Sequence, residues 1–362
     1  FSSFIERRQM TRKRIQLISW FMGLFVYFSD YFSPLFVGST MRNLSDRFKI
    51  SREKLAYICD STSAPVSILV PFTGWAVFVA GLTIGMGPVL DVGDAMSFFI
   101  TAIPFNIYPI LSVLMVGLIA AGLIPDFGPM KHAEQRAQLE GKVVRDGGEP
   151  LMAAELTDIE PAAGIRTSLF WNFIFPVVIV IGFAVGSIML TSSAKPLEAF
   201  MLATFVLAII MRIQGVALNE ITSTAMLGIK GIMPAVVILA FAYALNDLSA
   251  ALNTADYIVS VSKSWLTPAM LPVLVFLISG LIAFSTGTSW GTYAIMIPIA
   301  VPMAFSFSGG ELSTLVYATL AATAGGGVFG DHCSPLSDTS ILASTGAASD
   351  HMDHIKTQLP YS

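Results

Sequence analysis

Charge is scarce in this sequence: only 12% of its 362 residues are Asp, Glu, Lys or Arg, while 54% are hydrophobic. A soluble globular chain carries about 25% charged residues. The length alone would allow two or three soluble domains, but there is too little polar surface to enclose them. Cysteine is nearly absent too. Cys59 and Cys333 stand far apart in apolar surroundings, which excludes a disulfide framework. No signal peptide is visible. The chain opens on Phe1 rather than Met and stops at Ser362 after a polar tail, so both ends are expected to be missing and a helix count is no guide to topology. What the sequence does have is apolar length. Its mean hydropathy is +0.73, and runs near the roughly 20 residues that cross a bilayer recur throughout. The chain reads as an all-α polytopic membrane protein whose partner is the lipid bilayer. The net charge of −4 says little about partners, since the distribution of charge matters more than its sum; no nucleic-acid partner is expected.

The apolar runs are interrupted in a repeating way. A basic stretch (6–14) precedes the run 15–28, which breaks at Ser29-Asp30-Tyr31-Phe32-Ser33-Pro34 and resumes over 35–41. A second basic cluster follows at Arg42, Arg47, Lys49, Arg52 and Lys54. Two arms of about a dozen residues between basic ends fit a re-entrant hairpin better than a spanning helix. The run 55–82 breaks at Asp60-Ser61-Thr62-Ser63-Ala64-Pro65, and a span returns over 98–124. Residues 125–168 are the extended polar stretch, with a short surface helix expected over 131–136. Spans follow over 169–190 and 199–211, then a loop, then 232–261, interrupted at Asn246-Asp247.

The last third repeats the first. Apolar arms over 271–284 and 293–305 flank Ser285-Thr286-Gly287-Thr288-Ser289-Trp290-Gly291. The segment 312–347 is expected to break at Gly325-Gly326-Gly327 and again over 331–338. Asp60-x-x-Ser63-x-Pro65 pairs with Asp331-x-x-Ser334-Pro335, one residue out at the proline. Two units, each a re-entrant hairpin plus a broken transmembrane helix, are the mark of an internal repeat. The first unit is residues 1–124 and the second, with its preceding spans, is 169–362; 125–168 is a cytoplasmic loop. With the first hairpin's ends inside, every Lys and Arg except Lys195 and Lys263 falls on the cytoplasmic side, as orientation by basic loops requires. The second hairpin's ends then lie outside, so the repeats are inverted.

Five carboxylates fall at membrane depth: Asp30, Asp60, Asp247, Asp331 and Asp338. A charged Asp at the bilayer centre costs roughly 2.5–3.5 kcal/mol on insertion scales. Their segments contain no Lys or Arg, and only His332 could carry positive charge. Acids without fixed partners must be protonated, face water or hold a mobile cation, which are the requirements of a site where protons compete with a hard cation. Sodium favours oxygen donors. Candidates are Ser61 and Thr62 in the first break, Ser285, Thr286, Thr288 and Ser289 at the second tip, and Ser334, Ser337 and Thr339 in the second break. Carbonyls freed at a break supply further ligands. Each Ser, Thr or Asp beside a Pro can instead be a helix cap. Asn246 and Asp247 can be one near the outer surface. Asp331-His332-Cys333 cannot converge on a transition metal from regular backbone. The tail with His351, Asp353 and His354 reads as a solvated interface. No cofactor motif or nucleophile–base pair marks an enzyme.

The segment Ile50 to Pro65, with Arg52-Glu53-Lys54-Leu55 leading into Asp60-Ser61-Thr62-Ser63-Ala64-Pro65, resembles the NhaC-type sodium/proton antiporter family of the ion transporter superfamily. So do Gly330-Asp331-His332-Cys333-Ser334-Pro335-Leu336-Ser337-Asp338-Thr339 and the closing His354-Ile355-Lys356-Thr357-Gln358-Leu359-Pro360-Tyr361. The resemblance implies an alternating-access carrier, its partners a second copy of itself and the ions Na+ and H+, with a scaffold and a moving transport domain in a bacterial inner membrane. The family's first hairpin carries an acidic pair before Tyr, of which Ser29-Asp30-Tyr31 keeps only the second acid; this bears on ion count. The runner-up is an organic-anion carrier of the same fold, of the malate/lactate type, which should offer a positive group near the site. A channel would need a continuous polar path.

Overall fold

Helices in this chain start where a side chain can take the backbone N–H groups that a first turn leaves free. Thr11, Ser51, Thr73, Asp91, Ser313, Ser337 and Asp350 each accept such a bond. The computed structural model describes residues 10–71, 73–151, 168, 170–191, 196–230, 233, 237, 252 and 267–362, and among these no β-strand forms. In chain order the helices are α1 (Arg12–Phe25), α2 (Phe32–Arg47), α3 (Arg52–Ser61), α4 (Ala64–Ser67), α5 (Gly74–Gly81), α6 (Val92–Ala102), α7 (Ile107–Ala120) and α8 (Gly128–Glu140). There follow α9 (Phe175–Thr191), α10 (Pro196–Ile213), α11 (218–230), α12 (Leu271–Thr286), α13 (Ser289–Phe307), α14 (Thr314–Cys333), α15 (Asp338–Ala347) and α16 (His351–Gln358). The chain divides into two compact units: residues 1–10 with 152–236, and 11–151 with 237–362. Asn246 and Asp247 lie outside the described residues.

In the first unit, α9 and α10 pack on each other, and Asn172 and Gln214 exchange two amide hydrogen bonds of 2.8 and 3.0 Å. Residues 218–230, expected to be loop, form α11.

The second unit holds all the other helices. α12 with its preceding turn (Pro268–Thr286) and α13 (Ser289–Phe307) are 19 residues each, long and apolar enough to cross a bilayer, where the sequence suggests half-depth arms. At about 1.5 Å per residue each reaches some 28 Å, close to the hydrocarbon thickness. α6 and α7 are bent by 53°. Asn106 with φ −81° and ψ 70° leaves the helical region there, between Pro104 and Pro109, so the single span expected over 98–124 is interrupted. The run 55–82 also breaks twice, at 62–63 and again before Gly74. Exposed apolar stripes are plain: Val273, Leu277 and Leu281 on α12, and Ile107, Leu111, Leu114 and Leu118 on α7, recur at helical spacing. These stripes and the apolar spans mark an all-helical membrane protein.

α14 corrects a further expectation. It runs unbroken through Gly325-Gly326-Gly327 and stops only at Cys333, two residues before Pro335. The glycines serve close packing: a Cβ on Gly326 would stand 2.3 Å from the Phe276 carbonyl oxygen, and one on Gly330 2.0 Å from that of Gly280. Small residues that let backbones approach are how helices associate in lipid. α2 and α15 meet the same way through Gly38 and Gly346. Around α12–α14 a core of Ile68, Trp75, Phe98, Tyr293, Met296 and Leu320 fills the unit.

The polar stretch is less detached than its composition suggests. α8 is more than a surface helix, since Met130, Ala133, Glu134 and Ala137 are buried. Arg12 pairs with Glu134, whose other oxygen accepts from the Ser51 N–H at 2.8 Å. Arg136 holds both oxygens of buried Glu53 at 2.8 and 2.9 Å, and Lys54 pairs with Asp126. Burial pushes the Glu53 carboxyl above its ordinary range, against the Arg136 hydrogen bonds that pull it down.

Candidate functional site

In the second unit, the two broken helices and the two hairpin tips converge. Ser334, in the gap between α14 and α15, donates to the Phe284 carbonyl near the end of α12 at 2.7 Å. Gly287, the residue that turns α12 into α13, lies so close to this gap that a Cβ on it would stand 2.3 Å from the Leu336 carbonyl oxygen. From the other hairpin, Tyr31 donates its hydroxyl to Asp338 Oδ2 at 2.9 Å.

Asp60, at the end of α3, is fully buried. Its Oδ2 accepts from Ser340 Oγ of α15 at 2.7 Å, from Gln358 Nε2 of α16 at 2.7 Å and from His354 Nε2 of α16 at 3.3 Å. A carboxylate accepts only, so His354 carries its proton on Nε2. His332 Nε2 stands 3.8 Å from the same oxygen and 3.2 Å from Ser61 Oγ, and its Nδ1 is 2.8 Å from the Tyr108 hydroxyl. Gln358 Nε2 also donates to the His332 carbonyl at 2.7 Å. Two acceptors on one side fix the amide's orientation and turn Gln358 Oε1 away from them.

Asp331 is buried near the end of α14. Ser289 Oγ donates to its Oδ2 at 2.9 Å, Ser337 lies beside it, and Asp338 and Asp60 are within electrostatic reach. Asp338 Oδ1 accepts its neighbour Thr339's N–H at 2.8 Å, and the Thr339 hydroxyl meets Ser337 Oγ at 3.1 Å. Ser337 also caps α15. Asp60 Oδ1, Asp331 Oδ1, Gln358 Oε1 and His354 Nδ1 are all buried and have no hydrogen-bond partner among the described residues. The first three are acceptors whatever the state of His354. Buried acceptors left without donors are costly, and a cation or a proton is the kind of species that would satisfy them.

Other candidates are placed differently. Ser285 is exposed and donates to the Leu281 carbonyl, and Thr286 likewise donates to that of Ile282, as back-bonded helix hydroxyls do. Thr62 donates to the Ile58 carbonyl and fills the notch left by Gly23, so it joins α1 to the break. Thr288 is buried beside the tip without capping α13. Asp30 is buried beside Trp75 and Trp290, whose rings lie 5.1 Å apart. The tail is no solvated interface, because His354 and Gln358 are fully buried and reach Asp60. Ser340, Gln358, Tyr31 and Tyr108 are not among the candidate site residues read from the sequence, and His354 is there assigned to a solvated tail; the spacing of four between His354 and Gln358, which puts both on one helix face, was the available signal. Among the described residues no cluster of three or more His, Cys, Asp or Glu could hold a metal ion.

An uncharacterised protein of Haemophilus influenzae is 32% identical over 390 residues, covering all of this chain and 71% of the relative. A malate-2H(+)/Na(+)-lactate antiporter of Bacillus subtilis is 24% identical over 189 residues, 51% of this chain and 39% of the relative. A Na(+)/H(+) antiporter of Haemophilus influenzae, itself uncharacterised, is 36% identical over 90 residues, 25% of this chain and 18% of the relative. No solved structure matches. The Na+/H+ antiporter family profile matches residues 75–362, which takes in the second hairpin, the second break and the tail, and the chain belongs to the Na+/H+ antiporter family.

Proposed function

We propose that this chain exchanges Na+ for H+ across the cytoplasmic membrane of a bacterium, by alternating access of one site built around Asp60 and Asp331. The observation that carries the reading is the set of three buried acceptor oxygens without donors, Asp60 Oδ1, Asp331 Oδ1 and Gln358 Oε1, two of them carboxylate oxygens, while Lys54 is already paired with Asp126. Asp338, Ser289, Ser337, Ser334 and Thr339 complete the oxygen-rich surroundings, and Asp30 serves at the neighbouring tip. The two hairpin-plus-break units, within 1–124 and 169–362, act as inverted copies that expose the site to one side and then the other, in a homodimer. The family assignment supports cation-coupled antiport. Sodium and the proton are the transported species, with no further cofactor.

A second reading has one observation in its favour. His354 joins His332 at Asp60, so the site has two groups able to become positive where the sequence suggests one. A partner for an organic carboxylate is therefore available, and one relative is named for malate and lactate. The experiment that separates the readings is proton flux in everted vesicles, first varying the cation with chloride fixed and then varying the anion with sodium fixed. Flux that follows the cation and is alike for chloride and gluconate supports sodium exchange. A requirement for malate, lactate or another carboxylate overturns it in favour of the second reading.

A further inference from the structure

The C-terminal helix bears on Asp60 more closely than the breaks themselves do. Of the three donors on Asp60 Oδ2, two come from one face of α16, His354 at 3.3 Å and Gln358 at 2.7 Å. The third is Ser340 of α15 at 2.7 Å. Both α16 side chains are fully buried. Gln358 binds Asp60 of α3 and the His332 carbonyl of α14 with the same nitrogen, so it joins three helices at the point where two of them end. The helix is itself anchored at its far side. Asp350 caps it, Arg145 of the polar stretch meets Asp353 at 2.5 Å, and Tyr361 just beyond it stacks on Tyr57 of α3 at 4.9 Å between ring centres. A helix so fixed presents its donors at a set place.

We propose that His354 and Gln358 are positioning residues of the ion site: as hydrogen-bond donors they occupy Asp60 Oδ2 and hold the carboxylate so that Oδ1 alone faces the transported cation. The inference deepens the exchange reading and rests on Asp60 being a ligand. His354 acts here through its Nε2–H, so an amide of similar reach can replace it. Both bonds are buried, and the 2.7 Å bond from Gln358 is the shorter of the two, in the setting where hydrogen bonds to a charge are strongest.

The test uses the full chain reconstituted in proteoliposomes, with Gln358→Leu, His354→Leu and His354→Gln compared with the wild type at one pH. Wild-type flux is first measured with sodium, potassium and choline chlorides and with sodium malate and lactate, and the species that drives it is then titrated in every variant. Failure of the sodium reading thus appears in the wild type and leaves the α16 proposal open to the same titration with the true substrate. Expected is a roughly tenfold rise in half-saturating substrate for Gln358→Leu and His354→Leu, about 1.4 kcal/mol, with the maximal rate within about twofold. His354→Gln, which keeps a donor, stays within about threefold of the wild type. Unchanged half-saturation in both Leu variants overturns the proposal. So does His354→Gln behaving like His354→Leu. If Gln358→Leu fails to insert, the two His354 variants decide alone by the same criteria.

Discussion

The contact between the second hairpin tip and the second break can be tested at one residue. Gly287 ends α12 with φ +71°, in the left-handed region, and a Cβ there would lie 2.3 Å from the Leu336 carbonyl oxygen and 2.6 Å from its carbon. Gly287→Ala therefore meets two penalties. The left-handed backbone costs an L-residue about 1–2 kcal/mol, and forcing an extra carbon into a packed contact costs about 1–3 kcal/mol more. Gly309 is the matched control: its φ is +67°, yet nothing lies within 4 Å of its Cβ position. Gly309→Ala should lose only the backbone part. Thermal unfolding of the detergent-purified proteins reads the difference, which at about 2–4 °C per kcal/mol for large domains should be several degrees. Exchange should fall in Gly287→Ala, because Ser334 and the Phe284 carbonyl are displaced with the tip, and survive in Gly309→Ala. Equal melting temperatures with both variants fully active would refute the packed tip-to-break contact.

Two further predictions concern topology and the anchoring of the tail. Native Cys59 and Cys333 are buried, so exposed Glu140→Cys and Glu311→Cys can be read against a quiet background. Glu140→Cys should be labelled only from the cytoplasm and Glu311→Cys only from outside, and labelling of both from one side would defeat the inverted arrangement. Asp350 is held below its ordinary range: partial burial raises it, but the Glu149 and Asp353 N–H groups and the Arg145 charge outweigh that. Its folded value being lowered, its contribution is present above the ordinary Asp pKa and is lost as pH falls through the folded value. Asp350→Ala should cost about 1 kcal/mol as a lost helix cap, and the gap between variant and wild-type melting temperatures should hold steady near neutral pH and narrow only as pH falls below the ordinary Asp pKa.

Much of the architecture was legible because membrane insertion leaves few choices for apolar sequence. The hairpin turns at Ser29-Asp30 and Gly287, and the breaks beside Pro65 and Pro335, lie where residue chemistry places them. The failures share a cause: local signals have more than one use, and tertiary contacts decide between them. Three consecutive glycines read as a break, but Phe276 and Tyr293 press so close to α14 that glycine is needed for approach instead. The 19-residue lengths of Pro268–Thr286 and Ser289–Phe307 were underestimated because Thr286 and Ser289 look polar while sitting inside helices. At the site, the acids were visible as charge without partners. His354 and Gln358 were not, because a polar eight-residue helix at the chain's end looks solvated until Asp60, nearly 300 positions earlier, is brought against it.

The central claim is that sodium and the proton compete for the same buried carboxylates, and the measurement that meets it most directly is half-saturating sodium across a pH series in proteoliposomes. Where one proton must leave for one sodium ion to bind, linkage makes half-saturating sodium rise toward about tenfold for each unit that pH falls. Asp60→Asn and Asp331→Asn, which keep size and one oxygen but remove the titrating charge, should insert normally and show no sodium-dependent proton flux. Half-saturating sodium that does not change with pH, or full exchange in both variants, would contradict the account.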